Sequence, residues 1–250
     1  MSMAPDWVKG LKGWVNAALA LVYPEVCQVC GQARATPEQG LVCAGCQAQA
    51  RFIEPPQCER CGRPFPGEVA VPFECSDCLE ARWAFRSARS AVEARGSVRD
   101  VIHRYKYGRA LWFEPFLAGL LIRGAAPILA AQPWQWLVPV PLHPTRQRER
   151  EFNQAERLAW RLSQATGIPL NRRLLRRVAP TRIQALLSRQ ERLANVRAAF
   201  ALRPGARVEG RRVVLVDDVM TTGATTGACA AVLGAAGAAE VCVWTVARGI

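Results

Sequence analysis

Histidine is scarce in this chain, with two in 250 residues, and no general base stands out. His103 reads as a helix-surface or packing residue, which leaves His143, beside an arginine run, for acid or base work. Charged residues make up only 21% while half the chain is apolar, which excludes a disordered or acidic-tail protein and predicts a globular fold. Nothing matches G-x-x-x-x-G-K-[ST], so a Walker-type nucleotide site is excluded. No transmembrane segment is expected. Lys9 and Lys12 before the apolar stretch Trp14 to Tyr23 imitate a signal peptide, but Asn16 interrupts the run and Pro24 and Glu25 stand where small residues should allow cleavage. The run is also too short to span a bilayer. Trp7, Val8, Leu11, Val15, Leu19 and Val22 recur at helical spacing, so residues 1–26 are expected to form an amphipathic helix packed on the adjoining domain. The expected location is cytoplasmic.

Basic residues are abundant. Lys and Arg total 33 against 20 Asp and Glu, giving a net charge of +13 and an isoelectric point near 9.9. Arginine supplies nearly all of the basic count, and its planar fork matches phosphate oxygens. A phosphorylated ligand or a nucleic acid is therefore the natural partner class.

Ten cysteines are present, eight of them in C-x-x-C pairs: Cys27 with Cys30, Cys43 with Cys46, Cys58 with Cys61, and Cys75 with Cys78. In a reducing compartment such pairs read as metal ligands. Zinc takes four thiolates, and a two-residue spacer lets a tight turn aim two sulfurs at one ion. Gly31 and Gly62 follow the first pair of each set, and the halves repeat with an offset of 31 residues from Cys27 to Cys58. Residues 27–82 therefore read as two tandem zinc ribbons. Local pairing puts the first four cysteines on one Zn²⁺ and the last four on another, whereas an interleaved cross-brace uses the same eight ligands. Either way the sites are structural, because four thiolates leave no open coordination position. With few core-sized apolar residues, this segment is expected to draw its folding free energy from the metal. Cys229 and Cys242 read as buried small side chains.

From residue 83 to 250 strand and helix candidates alternate, which predicts an α/β domain with a mostly parallel sheet. Val98, Val101, Ile102 and Tyr105 make a helix face. Trp136 to Val140 reads as a strand, Phe152 to Leu162 as a helix, and Val241 to Val246 as the last strand. The most informative passage is VVLVDDVMTTGAT, Val213 to Thr225. It reads as a buried strand ending at Asp217 and Asp218, a short loop of small and hydroxyl residues, and a helix starting near Thr226. Ligands of open α/β sheets bind beyond the carboxyl ends of the strands. Loop N–H groups, the positive helix end and the hydroxyls of Thr221, Thr222 and Thr225 would cradle a phosphate, with Gly223 admitting close backbone approach. Two adjacent carboxylates would accept hydrogen bonds from a vicinal diol. Phosphate beside diol describes a ribose 5-phosphate.

VVLVDDVMTTGAT resembles the ribosyl-pyrophosphate signature of type I phosphoribosyltransferases. The whole chain resembles the ComF family of competence-associated proteins through CQVCG, CERCG, YKYGR at 105–109, LVPVPLHPTRQREREFNQAE at 137–156 and TRIQALLSRQERLANVRAAF at 181–200. The resemblance implies a type I phosphoribosyltransferase-like domain behind a double zinc ribbon, and a role in uptake or processing of transforming DNA. It implies that Asp217 and Asp218 orient the sugar of 5-phosphoribosyl 1-pyrophosphate, with Met220, Thr221, Thr222, Gly223, Ala224 and Thr225 on its phosphate. It places the pyrophosphate loop at Val138 to Asn153, with Arg146, Arg148 and Arg150 and bound Mg²⁺ at the leaving group. Thr181, Gln184, Arg189, Arg192 and Asn195 match the mobile loop that closes over the ligand in related amidotransferase-type enzymes. Glu151 stands where this family usually has glycine. A carboxylate there would repel pyrophosphate, and it would add strain if the loop needs a positive φ.

A rival reading makes the chain a non-catalytic single-stranded nucleic-acid adaptor that uses the same fold as a basic scaffold; single-stranded DNA and DNA-uptake machinery are the macromolecular partners expected. Zinc ribbons, the positive charge and eight tryptophans suit stacking on a cationic groove. Trp7, Trp14, Trp134 and Trp136, however, lie in stretches better explained as core.

Overall fold

The computed structural model describes residues 25–249 except 70, 82 and 180–198. The expected N-terminal helix and the segment carrying Thr181, Gln184, Arg189, Arg192 and Asn195 thus lie outside the described residues. Four parallel strands form the central sheet: β1 (Ser87–Glu93), β2 (Trp136–Pro139), β5 (Arg212–Met220) and β6 (Glu240–Arg248), in the order β1-β6-β5-β2. A short antiparallel pair, β3 (Leu175–Arg177) with β4 (Phe200–Leu202), stands apart from it. This is the α/β, mostly parallel architecture expected.

The apolar run at the start of β5 is buried because the sheet is covered on both faces, and alternate side chains go to opposite layers. Val214 and Val216 join one core with Tyr105, Leu117 and Leu158. Val213 and Leu215 join the other with Phe200, Cys229 and Leu233. The first layer is built from α1 (Gly96–Tyr107), α2 (Glu114–Ala130) and α4 (Gln154–Thr166); between the last two runs the short α3 (Pro144–Arg150). The second layer is α5 (Ala224–Ala235) with the β3–β4 pair. Val98, Val101, Ile102 and Tyr105 are all buried, as their spacing predicts, and so are Cys229, Cys242 and Trp134. The helix expected from Phe152 starts at Gln154 because Asn153 caps it, its side-chain oxygen accepting from Ala155 N at 3.0 Å. Buried Glu114 ties α2 to α4 by pairing with Arg157 and, at 2.7 Å, with Arg161.

One element was not foreseen from the sequence. Leu111–Ala130 is long and apolar enough, by length and composition, to cross a membrane, and half of that window is buried within the fold.

The cysteine-rich segment packs on the sheet edge and on the first helical layer. Arg51 O accepts from Glu93 N at 2.9 Å and Ile53 N donates to Ala91 O at 3.0 Å, so residues 51–53 cover the exposed edge of β1. Gly62 lies against β1 at φ +65°, where a Cβ would sit 2.5 Å from Ala88 O. Only glycine fits that approach.

Candidate functional site

Each cysteine set converges locally. The sulfurs of Cys27, Cys30, Cys43 and Cys46 lie within 4.8 Å of one another, and so do those of Cys58, Cys61, Cys75 and Cys78. The pairing is therefore tandem and not cross-braced. Sulfur separations of 3.8 Å for Cys30–Cys43, 3.8 Å for Cys58–Cys78 and 3.7 Å for Cys61–Cys75 match the edge of about 3.8 Å that a tetrahedron with zinc–sulfur bonds of about 2.3 Å must have. Backbone N–H groups face the sulfurs: Cys43 N donates to Cys27 Sγ at 3.3 Å, and Cys75 N to Cys58 Sγ at 3.3 Å. Burial raises the Cys27 thiol, but N–H groups of Cys30, Cys43 and Val29 together outweigh it and bring it down to about 6. The same opposition brings Cys58 to about 7, whereas burial and its neighbours push Cys46 up to about 12. Both donor sets thus fit Zn²⁺ as structural centres with no open position.

The second centre is joined to the sheet by Arg248, which is 2% exposed. Its guanidinium donates to Cys61 O at 3.1 Å and to Cys61 Sγ at 3.6 Å. A buried cation needs a counter-charge, and a zinc-bound thiolate tetrad supplies one. Arg248 is also the register partner of Met220 on β5. A second link is Trp83, whose ring lies where a Cβ on Gly227 would come within 2.5 Å, at the first turn of α5.

Strand β5 runs further than its apolar residues suggest. It carries Asp217 and Asp218 within it and ends at Met220, because pairing with β6 continues through Asp217↔Thr245 to Met220↔Arg248. The loop is consequently short, and α5 begins at Ala224 behind Gly223, which caps it at φ +80°. Thr221 and Thr222 are exposed and Thr225 is partly so; Thr222 Oγ1 accepts from Ala224 N at 3.4 Å. Asp218 is 5% exposed and its Oδ2 receives Lys106 Nζ at 2.9 Å. Asp217 is half-buried, its Oδ1 accepting from Asp218 N at 2.9 Å. Burial and then the neighbouring Asp218 carboxylate push Asp217 up to about 8, against the pull of Lys106. The Asp217 charge also bears on Arg177 of β3, and burial together with that charge holds the Cys229 thiol of α5 well above its ordinary value.

The arginines expected at the leaving group all sit on α3. Arg146 and Arg150 line a cleft of 320 Å³ with Lys106, Tyr107, Arg109 and Glu149, and Arg150 stacks over Tyr107 at 4.8 Å. Arg148 is exposed and does not line that cleft. His143 caps α3, its Nδ1 accepting from Thr145 N at 3.3 Å, which gives it a local structural task. Lys106 and Arg109 belong to YKYGR, a segment to which sequence reasoning assigned no role. The signal for Lys106 was present: it is the only lysine beyond residue 12.

Glu151 closes α3 at φ +68°, ψ −10°, the conformation glycine takes without cost. Its carboxylate is held by Arg109 at 2.7 Å, and both side chains are more than half exposed. The ion pair therefore contributes little, and the left-handed backbone costs roughly 1 kcal/mol. Glu151→Gly is expected to raise stability by about 1 kcal/mol, less what glycine gains in unfolded-state entropy. Thermal unfolding tests this; a lowered midpoint would show that the Arg109 contact outweighs the strain.

Residues 18–79 match the double zinc ribbon domain family. The chain is 32% identical over 212 residues to Competence protein F of Haemophilus influenzae, covering 83% of this chain and 90% of that one. It is 31% identical over 234 residues to the DNA utilization protein YhgH of Salmonella typhi, covering 91% and 99%. It is 30% identical over 193 residues to Competence protein ComFC of Bacillus subtilis, covering 74% of each. Among solved structures, a purine phosphoribosyltransferase from Pyrococcus horikoshii aligns with 54% of this chain and 84% of its own, at 18% identity and TM-score 0.34. Adenine phosphoribosyltransferase from Leishmania tarentolae aligns with 78% and 68%, at 16% identity and TM-score 0.35. With paired cysteine tetrads ahead of a parallel sheet that carries DDVMTTGAT, and with relatives matched over most of both lengths, this chain belongs to the ComF (competence protein F) family.

Proposed function

We propose that the chain binds 5-phosphoribosyl 1-pyrophosphate or a related ribose 5-phosphate ligand and that it serves DNA uptake or use, as the names of its relatives suggest for them. The observation that carries the ligand is the arrangement at the end of β5, where two adjacent carboxylates precede a three-residue turn and the first turn of α5. In this reading Thr221, Thr222 and Thr225 with the N–H groups from Met220 to Thr225 bind the 5-phosphate. Asp217 and Asp218 accept from the ribose hydroxyls, and Arg146 and Arg150 face the pyrophosphate. Of the other arginines expected at the ligand, Arg148 is exposed outside the cleft that Arg146 and Arg150 line, and Arg192 lies outside the described residues. Mg²⁺ bound with the ligand would neutralise charge on the pyrophosphate. If the chain is a transferase, an acceptor's lone pair forms the new bond to ribose C1 while the C1–oxygen bond breaks and pyrophosphate departs with its electrons. We assign residues 27–82 to the zinc module and 83–250 to the ligand domain.

A single-stranded nucleic-acid adaptor is the second reading. It is favoured by a cleft of 420 Å³ whose lining includes Arg172, Arg176, Arg177 and Arg203. Calorimetric titration of ribosyl pyrophosphate with Mg²⁺ into zinc-loaded protein, beside a short single-stranded DNA, separates the two. Saturable one-site binding of the sugar phosphate is expected. No sugar-phosphate binding, with DNA affinity that falls steeply as salt rises, would favour the adaptor.

The site should also respond to pH. Asp217 titrates near 8 in the folded chain instead of near 3.8, so around neutrality it keeps a proton that a diol-accepting carboxylate must release. A raised folded value means that Asp217 stabilises the fold at low pH and that this contribution is lost as pH rises through about 8. Ribosyl pyrophosphate affinity is expected to rise from neutral pH to about 8 while the thermal midpoint of the free protein falls. Lys106, Asp218, Arg177 and Cys229 interact electrostatically with Asp217, so Asp217→Asn is the control and should flatten the stability trend. A wild-type midpoint with no such slope would sink the assignment.

A further inference from the structure

The cleft between α1 and α3 holds more positive charge than the leaving-group arginines explain. Lys106 lines this cleft, and its Nζ bonds Asp218 at 2.9 Å. Its side chain is 20% exposed, so the lysine is partly desolvated. Arg109 lines the same cleft from the turn after α1, at φ +52°. A non-glycine residue in that region is uncommon and carries strain, and such residues concentrate at ligand-binding sites. Arg109 is oriented by Glu149 O at 2.8 Å and by Glu151 at 2.7 Å. Arg146 and Arg150 bring the cations to four, against one lining carboxylate, Glu149, and two carboxylates beyond the lining, Asp218 on Lys106 and Glu151 on Arg109. The volume, 320 Å³, is at the small end of ligand pockets, which run from about 300 to 1,000 Å³.

We propose that Lys106 and Arg109 form the pyrophosphate-reading end of the ligand site. Lys106 touches Asp218 on one side and the pyrophosphate oxygens on the other, and Arg109 grips the pyrophosphate from across the cleft. This rests on the ribose 5-phosphate reading and adds a selectivity to it: the chain distinguishes a 1-pyrophosphate from a bare ribose 5-phosphate through two residues outside the signature motif. The type of cation matters. In a chain with 30 arginines and three lysines, the group against the buried carboxylate is an ammonium, a compact charge that can bond Asp218 and a phosphate together, where a planar guanidinium needs more room.

The test is calorimetric titration of ribosyl pyrophosphate, ribose 5-phosphate and inorganic pyrophosphate, each with Mg²⁺, into zinc-loaded wild type, Lys106→Met and Arg109→Met. Each substitution is expected to weaken ribosyl pyrophosphate and inorganic pyrophosphate by roughly 10-fold or more, the scale of one charge-assisted hydrogen bond. Ribose 5-phosphate should weaken by less than about 3-fold, because its contacts lie on the phosphate loop and the acid pair. Equal losses for ribose 5-phosphate and ribosyl pyrophosphate would reduce Lys106 to a support for Asp218 and overturn the proposal. If Lys106→Met does not fold, exposed Arg109 decides the matter alone: no selective loss in Arg109→Met overturns it. A wild type that binds none of the three probes refutes the underlying ligand reading, which selective or unselective loss in the variants leaves standing.

Discussion

Above a pH of about 8, where Asp217 is ionised, replacing Asp217 and Asp218 together by asparagine is expected to weaken ribosyl pyrophosphate binding by on the order of 100-fold or more, since each charged hydrogen bond to a ribose hydroxyl contributes about 1.5–3 kcal/mol. Stability should change far less. The amides keep the volume of the carboxyls and remove the burial cost and like-charge repulsion that an ionised Asp217 meets above a pH of about 8. Against that gain, Lys106 loses its partner at 2.9 Å. The midpoint of thermal unfolding should therefore stay near the wild-type value while affinity collapses. Titration and scanning calorimetry on the same preparations check both halves. A loss of less than about 3-fold would remove the acid pair from the ligand site, and a collapse of both would mean that the pair holds the fold.

Loss of the second zinc centre should cost the most stability. Apparent zinc-binding free energies of four-ligand sites are about 10–16 kcal/mol, as large as the total stability of a typical domain, about 5–15 kcal/mol. Cys58→Ser removes a sulfur that accepts from Cys61 N at 3.5 Å and Cys75 N at 3.3 Å, and it breaks the tetrahedron around the ion. The damage should not stay local. Arg248 is buried and its guanidinium donates to two atoms of Cys61; leaving such a cation without its counter-charge costs about 3–5 kcal/mol. Because Arg248 pairs in register with Met220, loosening should reach the turn Thr221 to Gly223. The expected result is a fall of at least about ten degrees in thermal midpoint, which the Arg248 loss alone would give, with faster hydrogen exchange at residues 220–225. Stripping zinc with a chromogenic chelator should reproduce it. A zinc-free protein with an unchanged midpoint would make the metal dispensable for folding.

Much of this arrangement is legible in local sequence. Cysteine pairs at two-residue spacing announce their metal chemistry because a tight turn aims the sulfurs. The faces of α1 and the start of β5 follow from period 3.6 and from an unbroken apolar run. DDVMTTGAT marks a strand, a turn and a helix start by its residue types. Other features were misplaced for definite reasons. β5 continues through Asp217 and Asp218, since its register with β6 and not its hydrophobicity decides where the strand ends. α2 escaped notice, its apolar residues lying nearly all round the helix so that no amphipathic stripe appears.

By itself, then, the sequence determined what kind of elements form and which motif carries phosphate and diol chemistry, because spacing, turn residues and apolar periodicity act within a dozen residues. Tertiary structure alone decided the tandem pairing of the cysteines, the meeting of Lys106 with Asp218, the grip of Arg248 on Cys61 and the bond from Arg109 that restrains Glu151. Apart from the cysteines within each set, those partners are separated by tens of residues or more, and no local pattern encodes contacts that arise only when β5 and β6 align and the end of α1 reaches Asp218.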